Sequence, residues 1–309
     1  MKFFFFYSSF FFLTVFELIS SLVIHPNFYK IGEQYIPDKK LIYRHRKNYK
    51  TNPNILKTIK SININSLGFR GPEPDSNKQS ILILGDSMVY GHGVSQMNTF
   101  SQILRSKLEL NILNAGVKGY GTDQSLLLLR EIIQEQNIKI VIFSFNYNDL
   151  YDNVVKRRLE GEGLEIVSHQ NFFATSFFWF YQKVFPVLPS RLLQYTFTKG
   201  LLLYSETIIR DQMDIAKEKK KIAKTIRVVD KLTVSLGIKS LFLVMPNVNR
   251  RLNEFDFLKV LDKDYRLIMP NFDKQEYFID SDIHFSPAGH RKMANILYKA
   301  LSDYDVLTN

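Results

Sequence analysis

Residues 81–94 read ILILGDSMVYGHGV, and the first half of this stretch decides the fold. The apolar run from Ile81 to Leu84 stops at Gly85, which is typical of a strand buried on both faces of a parallel sheet. A polar Asp-Ser pair follows at once. The sequence therefore predicts a buried strand that ends in a turn carrying Ser87.

Strands and helices alternate along the rest of the chain. Apolar runs predict strands, and amphipathic segments predict helices: strands at 111–113, 138–145 and 240–246, and helices at 123–136, 208–235 and from Pro287, capped by Ser286. This alternation predicts a three-layer α/β/α sandwich with a mostly parallel, flavodoxin-like sheet. In such sheets functional groups collect at the carboxyl ends of the strands.

Composition excludes several classes of protein. The 309 residues contain 41 Lys and Arg against 30 Asp and Glu, a net charge of +11, and 45% are hydrophobic, as in an ordinary globular chain. The sequence contains no Cys, which excludes a disulfide scaffold, a cysteine nucleophile, a thiolate zinc site and an iron–sulfur cluster. No cofactor or metal is predicted, since the phosphate-binding glycine spacings and a converging set of further metal ligands are missing from the sequence.

Polar residues follow the predicted strands. Ser87 comes after the first strand, a glycine-rich turn at 114–121 after the second, and Asn148 after the third, while Asp282 and His284 precede the last helix. A serine, a tight turn, an amide and an Asp/His pair at strand ends are the parts that acyl transfer needs.

The same four segments resemble the motif blocks of the SGNH/GDSL hydrolase family, in the family's order. They are ILILGDSMVYGHGV, NAGVKGYGT, FNYNDL and DSDIHFSPAGH, spread over residues 81–290. The stretch NSLGFRGPEP at 65–74 also resembles the lead-in of bacterial, membrane-anchored members associated with cell-surface polysaccharide.

The resemblance implies a role for each site residue. Ser87 is expected to be the nucleophile, with His284 as its base, because an unassisted hydroxyl attacks weakly. The backbone N–H groups of Ser87 and Gly119 and the side-chain amide of Asn148 are expected to form the oxyanion hole. Asp282 is expected to hold the second ring nitrogen of the histidine.

Two residues depart from the family's pattern. The usual last motif is Asp-x-x-His, but Ser281 stands three residues before His284. We assign the orienting role to Asp282, as in the Asp-x-His version of relatives that acetylate alginate, and keep Asp280 as the substitute. Asn146 stands where Gly is common in the third block.

Structural roles compete with these assignments. Ser87 alone could be a helix N-cap. His92 could line the pocket, but a position in an ordinary loop is the default interpretation. His290 suits a structural role, because it lies inside the last predicted helix. We interpret Asp86 and Asp149 as structural hydrogen-bonding residues rather than metal ligands.

The N-terminal part of the chain predicts a membrane anchor. Residues 3–24 form an apolar run long enough to span a bilayer and lack a good cleavage site for a signal peptide. A basic juxtamembrane connector at 25–64 follows, and then the hydrolase-like domain at 65–309, with an aromatic insertion at 171–205. Residues 25–60 carry nine basic and two acidic side chains, a surplus of +7, which favours contact with anionic headgroups over nucleic-acid binding.

We therefore expect a serine esterase or O-acyl (acetyl) transferase that acts on a cell-envelope glycan or glycolipid. The alternative is a non-catalytic glycan-binding or polysaccharide-assembly protein that uses the same cleft. No nucleic acid and no obligate protein partner are predicted. We expect a single-pass protein of the cytoplasmic membrane with an extracytoplasmic (periplasmic) domain, although the positive-inside rule would keep the basic connector in the cytoplasm.

Overall fold

The computed structural model describes residues 34–51, 60–150, 158–160, 163–165, 214–246, 258, 265–280 and 283–303. The chain falls into two compact units, residues 1–36 with 166–213 and residues 37–165 with 214–309. Of the first unit only residues 34–36 are described. The sheet, the helices and the candidate site belong to the second unit.

The described residues form nine strands and five α-helices. The strands are β1 (Tyr35–Asp38), β2 (Ile42–His45), β3 (Ser80–Gly85), β4 (Asn111–Gly116), β5 (Ile138–Phe145), β6 (Arg158–Glu160), β7 (Gly163–Glu165), β8 (Lys239–Val244) and β9 (Leu267–Ile268). The helices are α1 (Ser87–Tyr90), α2 (Phe100–Arg105), α3 (Thr122–Ile132), α4 (Ile215–Ser235) and α5 (Pro287–Asp303).

Five of the strands make one parallel sheet in the order β4-β3-β5-β8-β9. Counted along the chain, this order is 2-1-3-4-5, the flavodoxin-like arrangement. The order reverses between β3 and β5, and ligands of such sheets bind at that switch point. Ser87 follows β3 and Asn148 follows β5, so the fold carries both predicted site residues to the switch point.

Helices cover both faces of the sheet. Alternate strand residues such as Ile81 and Ile83 pack with α2 and α5 in one apolar cluster. The intervening Leu82 and Leu84 are equally buried and, because strand side chains alternate, point to the opposite face. There α3 contacts β3, α4 contacts β8, and the two helices contact each other.

The predicted strands and the last helix are confirmed, with shifts at some ends. The second strand, predicted over 111–113, runs on to Gly116 and includes Asn114. The structure accommodates this residue because its buried amide donates to the Val89 carbonyl (2.8 Å) and to the Ser101 hydroxyl (2.9 Å). Ser286 caps the last helix as predicted, since its hydroxyl accepts from the Gly289 N–H at 3.2 Å.

Two helix boundaries differ from the prediction. The helix predicted over 123–136 ends at Ile132, because the chain turns there to enter β5 at Ile138. The helix predicted over 208–235 is described from Ile215, where the Asp214 carboxylate caps it by accepting from the Lys217 N–H at 3.1 Å. Residues 208–213 lie outside the described part.

The membrane and insertion predictions fall outside the described residues. Both the apolar run at 3–24 and the aromatic insertion at 171–205 lie there. Among the helices of the described part, none is both long and apolar enough to cross a membrane. The anchor, the connector and the domain limits stay predictions.

Candidate active site

Ser87 sits at a tight turn between β3 and α1. Asp86, not Ser87, is the N-cap of this helix, because its carboxylate accepts from the Met88 N–H at 2.9 Å. A side chain at Gly85 would collide with the side chain of Ser144 on the neighbouring strand. Ser87 therefore does not cap the helix. It is half-buried, and its hydroxyl can form a hydrogen bond with another residue.

That partner is His284. Its Nε2 lies 2.8 Å from the Ser87 Oγ, although the two residues are 197 positions apart in the chain. This is hydrogen-bond length and brings together the pair that the sequence predicted. A nucleophile bonded to a base is the starting geometry of covalent acyl transfer.

Backbone contacts hold the His284 segment in place. The His284 carbonyl accepts from the Ile279 N–H, and the Tyr277 carbonyl accepts from the Ser286 N–H, both at 2.9 Å. The α5 helix begins at the next residue, Pro287. The backbone that carries the His284 imidazole is thus hydrogen-bonded at His284 itself and at Ser286.

The turn that carries Gly119 is tied to the Ser87 strand. The Val117 N–H donates to the Gly85 carbonyl at 3.0 Å, and the Tyr120 N–H closes the turn on the Val117 carbonyl at 3.1 Å. Gly119 has φ of +73°, which favours glycine over other residues. The Tyr43 hydroxyl donates to the carbonyl of the preceding Lys118 at 2.7 Å and supports the turn from outside.

Asn148 is joined to the turn at Ser87 through Asp86. The buried Asp86 carboxylate accepts from the Asn146 amide at 2.9 Å and also from the Asn148 side chain. Burial raises the pKa of Asp86, and these hydrogen bonds oppose that rise by stabilising the charged form. An amide has two N–H donors, so a side chain such as that of Asn148 can donate to a carboxylate and to a second acceptor.

Asn146, the departure from the family pattern, belongs to this network. Its backbone N–H donates to the Asp149 carboxylate at 2.8 Å while its side chain donates to Asp86. Both aspartates are buried and hydrogen-bonded, in keeping with the structural interpretation of the sequence. The side chain of Asn146, which is larger than the Gly common at this position, is therefore buried and hydrogen-bonded to Asp86.

Of the two carboxylates considered for orienting His284, the structure describes Asp280. Asp282 and Ser281 lie outside the described residues, and the substitute, Asp280, is described and exposed. The assignment of this role to Asp282 stays a prediction. Within the described ranges, no three His, Asp or Glu residues cluster closely enough to hold a metal ion.

Sequence reasoning missed the contributions of two residues. His92, for which a loop position was the default interpretation and the pocket the alternative, packs its ring against that of His284 with centroids 4.5 Å apart. Arg70, within the NSLGFRGPEP stretch, is only 1% exposed and donates to the Gly91 carbonyl at 2.6 Å. The only feature of the sequence that pointed to Arg70 was its position within the NSLGFRGPEP stretch.

We expect the substitution Asn148→Ala to lower kcat for an acyl ester by roughly 10²–10³-fold, the usual effect of losing one oxyanion donor. KM should change little, since the donor acts mainly on the tetrahedral state. Steady-state kinetics on purified protein measure this. A control is Asn98→Ala, at an exposed residue of a short 3₁₀ helix. An Asn148→Ala enzyme with wild-type kcat would remove the residue from the oxyanion hole.

His290 makes stability depend on pH. Burial, with smaller contributions from the charges of Arg70 and His284, lowers its pKa from 6.5 to about 3, and its Nδ1 accepts from the Phe100 N–H at 3.2 Å. Below pH 6.5 the unfolded chain binds a proton here that the folded protein does not, so stability falls as pH decreases toward 3.

We therefore expect His290→Asn, which retains an acceptor, to lose less stability than the wild type between pH 7 and pH 5, by about 1–2 kcal/mol. Urea unfolding at both pH values measures the difference. The remaining loss should include His45, whose pKa is also lowered to about 3, chiefly by burial. An identical pH dependence in both proteins would contradict this account.

Comparison with known proteins gives structural neighbours only. No protein-family model and no curated protein matches the chain. A structure assigned to the G-D-S-L lipolytic family from Desulfitobacterium hafniense has 12% identity and a TM-score of 0.43, covering 72% of this chain and 99% of its own. The psychrotrophic esterase EstA from a Pseudoalteromonas species has 11% identity, a TM-score of 0.41 and coverages of 73% and 98%.

A GDSL-like lipase from Bacteroides thetaiotaomicron has 10% identity, a TM-score of 0.42 and coverages of 76% and 93%. Structural similarity at this level does not establish the substrate or the mechanism of the protein. Both must be inferred from the residues of the chain itself. In the order of its four motif blocks, in its parallel α/β sheet and in the Ser87–His284 pairing, the chain follows the pattern of the SGNH/GDSL hydrolase family.

Proposed function

We propose that this chain is a serine ester hydrolase or O-acyltransferase that removes or moves an acyl group, acetyl in the first instance, on a cell-envelope glycan or glycolipid. The observation that carries the proposal is the 2.8 Å hydrogen bond between Ser87 Oγ and His284 Nε2 at the switch point of the sheet. Its catalytic residues are Ser87, His284 and Asp282.

The first half-reaction forms an acyl-enzyme. The Ser87 Oγ attacks the ester carbonyl while the His284 Nε2 takes the hydroxyl proton. The tetrahedral oxyanion is bound by the backbone N–H groups of Ser87 and Gly119 and by the side-chain amide of Asn148. As the intermediate collapses, His284 returns the proton to the leaving alkoxide.

The second half-reaction releases the acyl group. His284 deprotonates a water or a sugar hydroxyl, which attacks the acyl-enzyme and regenerates the Ser87 hydroxyl. Asp282 accepts from the Nδ1–H of His284, keeps the required tautomer and stabilises the imidazolium. Water as acceptor gives hydrolysis, and a sugar hydroxyl gives transfer.

Two sequence features support an envelope substrate. The NSLGFRGPEP stretch resembles membrane-anchored members associated with cell-surface polysaccharide, and the apolar run at 3–24 would hold the domain at a membrane. The test is to incubate the full-length protein with an O-acetylated oligosaccharide and an unacetylated acceptor. Free acetate or acetylated acceptor, absent with Ser87→Ala, supports the proposal. Turnover of small aryl acetates alone would contradict the glycan substrate.

The catalytic domain is proposed to lie outside the cytoplasmic membrane. A long domain after the anchor translocates largely regardless of its charge, so the basic connector does not forbid this orientation. The connector would then lie along the outer leaflet of that membrane and bring Ser87 toward lipid-linked glycan. Protease added to cells whose outer membrane, if present, has been opened while the inner membrane stays sealed should digest residues 65–309. Complete protection of that domain would place it in the cytoplasm.

A further inference from the structure

We infer that His92 is a positioning residue, which fixes the ring plane of His284 so that its Nε2 faces Ser87. The two imidazole rings have centroids 4.5 Å apart and planes inclined at 60°. His92 has no role in the acyl transfer described above, yet its ring contacts the base directly. This inference rests on the proposed function only in assigning His284 as the base.

The backbone of His92 is hydrogen-bonded to Ser87, the residue whose hydroxyl is bonded to His284. The N–H groups of Gly91 and His92 both donate to the Ser87 carbonyl at 3.0 Å and close the short helix α1. The Ser87 hydroxyl, at the other end of the contact, is bonded to His284. Ser87, His284 and His92 are thus joined in a closed set of contacts.

Two glycines give the loop its course. Gly91 and Gly93, on either side of His92, have φ of +85° and +80°, in the region that favours glycine. A side chain at Gly93 would collide with Ile279, whose N–H is bonded to the His284 carbonyl. The loop therefore lies directly against the segment that carries His284.

Arg70 holds the loop from inside the protein. Its guanidinium is buried and donates to the carbonyls of Tyr90 at 2.9 Å, Gly91 at 2.6 Å and Val94 at 2.8 Å. It also lies over the Tyr90 ring, 4.6 Å from the centroid. Three carbonyls of one loop bound to one cation leave His92 little freedom to move away from His284.

The ring contact with His92 adds to the two hydrogen bonds proposed for His284, which join Nε2 to Ser87 and Nδ1 to Asp282. The backbone of His284 is held, but the terminal torsion of an imidazole is broad, so the backbone alone does not set the ring plane. A misaligned ring would lose the linear hydrogen bond to Ser87 on which proton transfer depends. The contribution of His92 comes from the surface of its ring rather than from a proton, which separates it from a second base.

The test compares His92→Ala with His92→Phe, using p-nitrophenyl acetate and the full-length protein. We expect His92→Ala to lower kcat roughly fivefold with KM almost unchanged, since one aromatic contact is lost. His92→Phe retains the ring and should restore kcat to within about twofold of the wild type. Met97→Ala, at a residue that is 69% exposed in the following turn, is the matched control.

A second readout does not depend on turnover. In protein with ¹³C-labelled histidine rings, His284 should give one sharp Cε1–H signal in the wild type and in His92→Phe, and an exchange-broadened signal in His92→Ala. The signal is assigned by its loss in His284→Gln. Wild-type kcat and a sharp signal in His92→Ala would overturn the inference. So would a His92→Phe protein as impaired as His92→Ala. A wild type without Ser87-dependent turnover contradicts the proposed function, while the His284 signal still decides the role of His92.

Discussion

Substituting Ser87 by alanine is expected to lower acyl-ester turnover roughly 10⁴-fold or more, because no acyl-enzyme can then form and only binding and the oxyanion donors remain. The fold should survive. Ser87 is half-buried, Asp86 caps the helix in its place, and the alanine side chain fits wherever the serine does. Steady-state turnover of an aryl acetate, with thermal unfolding measured beside it, checks both parts.

Ser95→Ala is the matched control for this experiment. Ser95 precedes the 3₁₀ helix at Gln96–Asn98, and its side chain makes no capping hydrogen bond there. Turnover of this variant should equal that of the wild type. A Ser87→Ala protein that keeps turnover within about tenfold of the wild type would show that Ser87 is not the nucleophile.

Asp282→Asn is expected to lower kcat by roughly 10³–10⁴-fold, while Asp280→Asn stays within about threefold of the wild type. An asparagine can donate to the Nδ1 of His284 and so stabilise the wrong tautomer, which leaves no lone pair on Nε2 to accept the Ser87 proton. Asp280 is exposed, and a carboxylate facing water would hold the imidazole less firmly.

Each variant of this pair is the control for the other, because both remove one charge within four residues of His284 in the sequence. Comparing the kcat values of the two variants with one substrate shows which aspartate orients His284. Loss of turnover in Asp280→Asn together with wild-type turnover in Asp282→Asn would reverse the assignment and make Asp280 the orienting carboxylate.

Local sequence was enough to predict the strand and turn at Ser87. Four consecutive apolar residues are typical of a strand that is buried on both faces, and Gly85 allows the close approach of Ser144. The β4 strand behaves similarly at Gly116, where a side chain would collide with the backbone of Val89 and Tyr90. The strand and its turn could be predicted because their pattern lies in consecutive residues, whereas these two close approaches join segments that are distant in the chain.

The pairing of Ser87 with His284 was predictable for a different reason. Strand ends of a parallel α/β fold meet at one edge, so polar residues that follow strands are brought together whatever their separation in sequence. The order of the four motif blocks added the identity of the partners. The 2.8 Å hydrogen bond is consistent with both arguments.

The contacts of Arg70 and His92 could not be predicted in the same way. Arg70 binds carbonyls of a loop about 20 residues away, and carbonyl acceptors leave no pattern in a sequence. The contact of His92 with His284 joins one loop to another and depends on two left-handed glycines and on packing against Ile279. Asn146 shows the same limit, because its hydrogen bond to Asp86 becomes visible only once β3 and β5 are neighbours.

The central claim is that Ser87 is a nucleophile activated by His284, and covalent labelling tests it most directly. A fluorophosphonate should add to the purified protein at one residue, Ser87, as found by mass spectrometry of the digest, and the chain has no Cys to compete for the reagent. Labelling should disappear in Ser87→Ala and become much slower in His284→Ala. A folded wild-type protein that takes up no label, or takes it up at another residue while Ser87 stays unmodified, would contradict the claim.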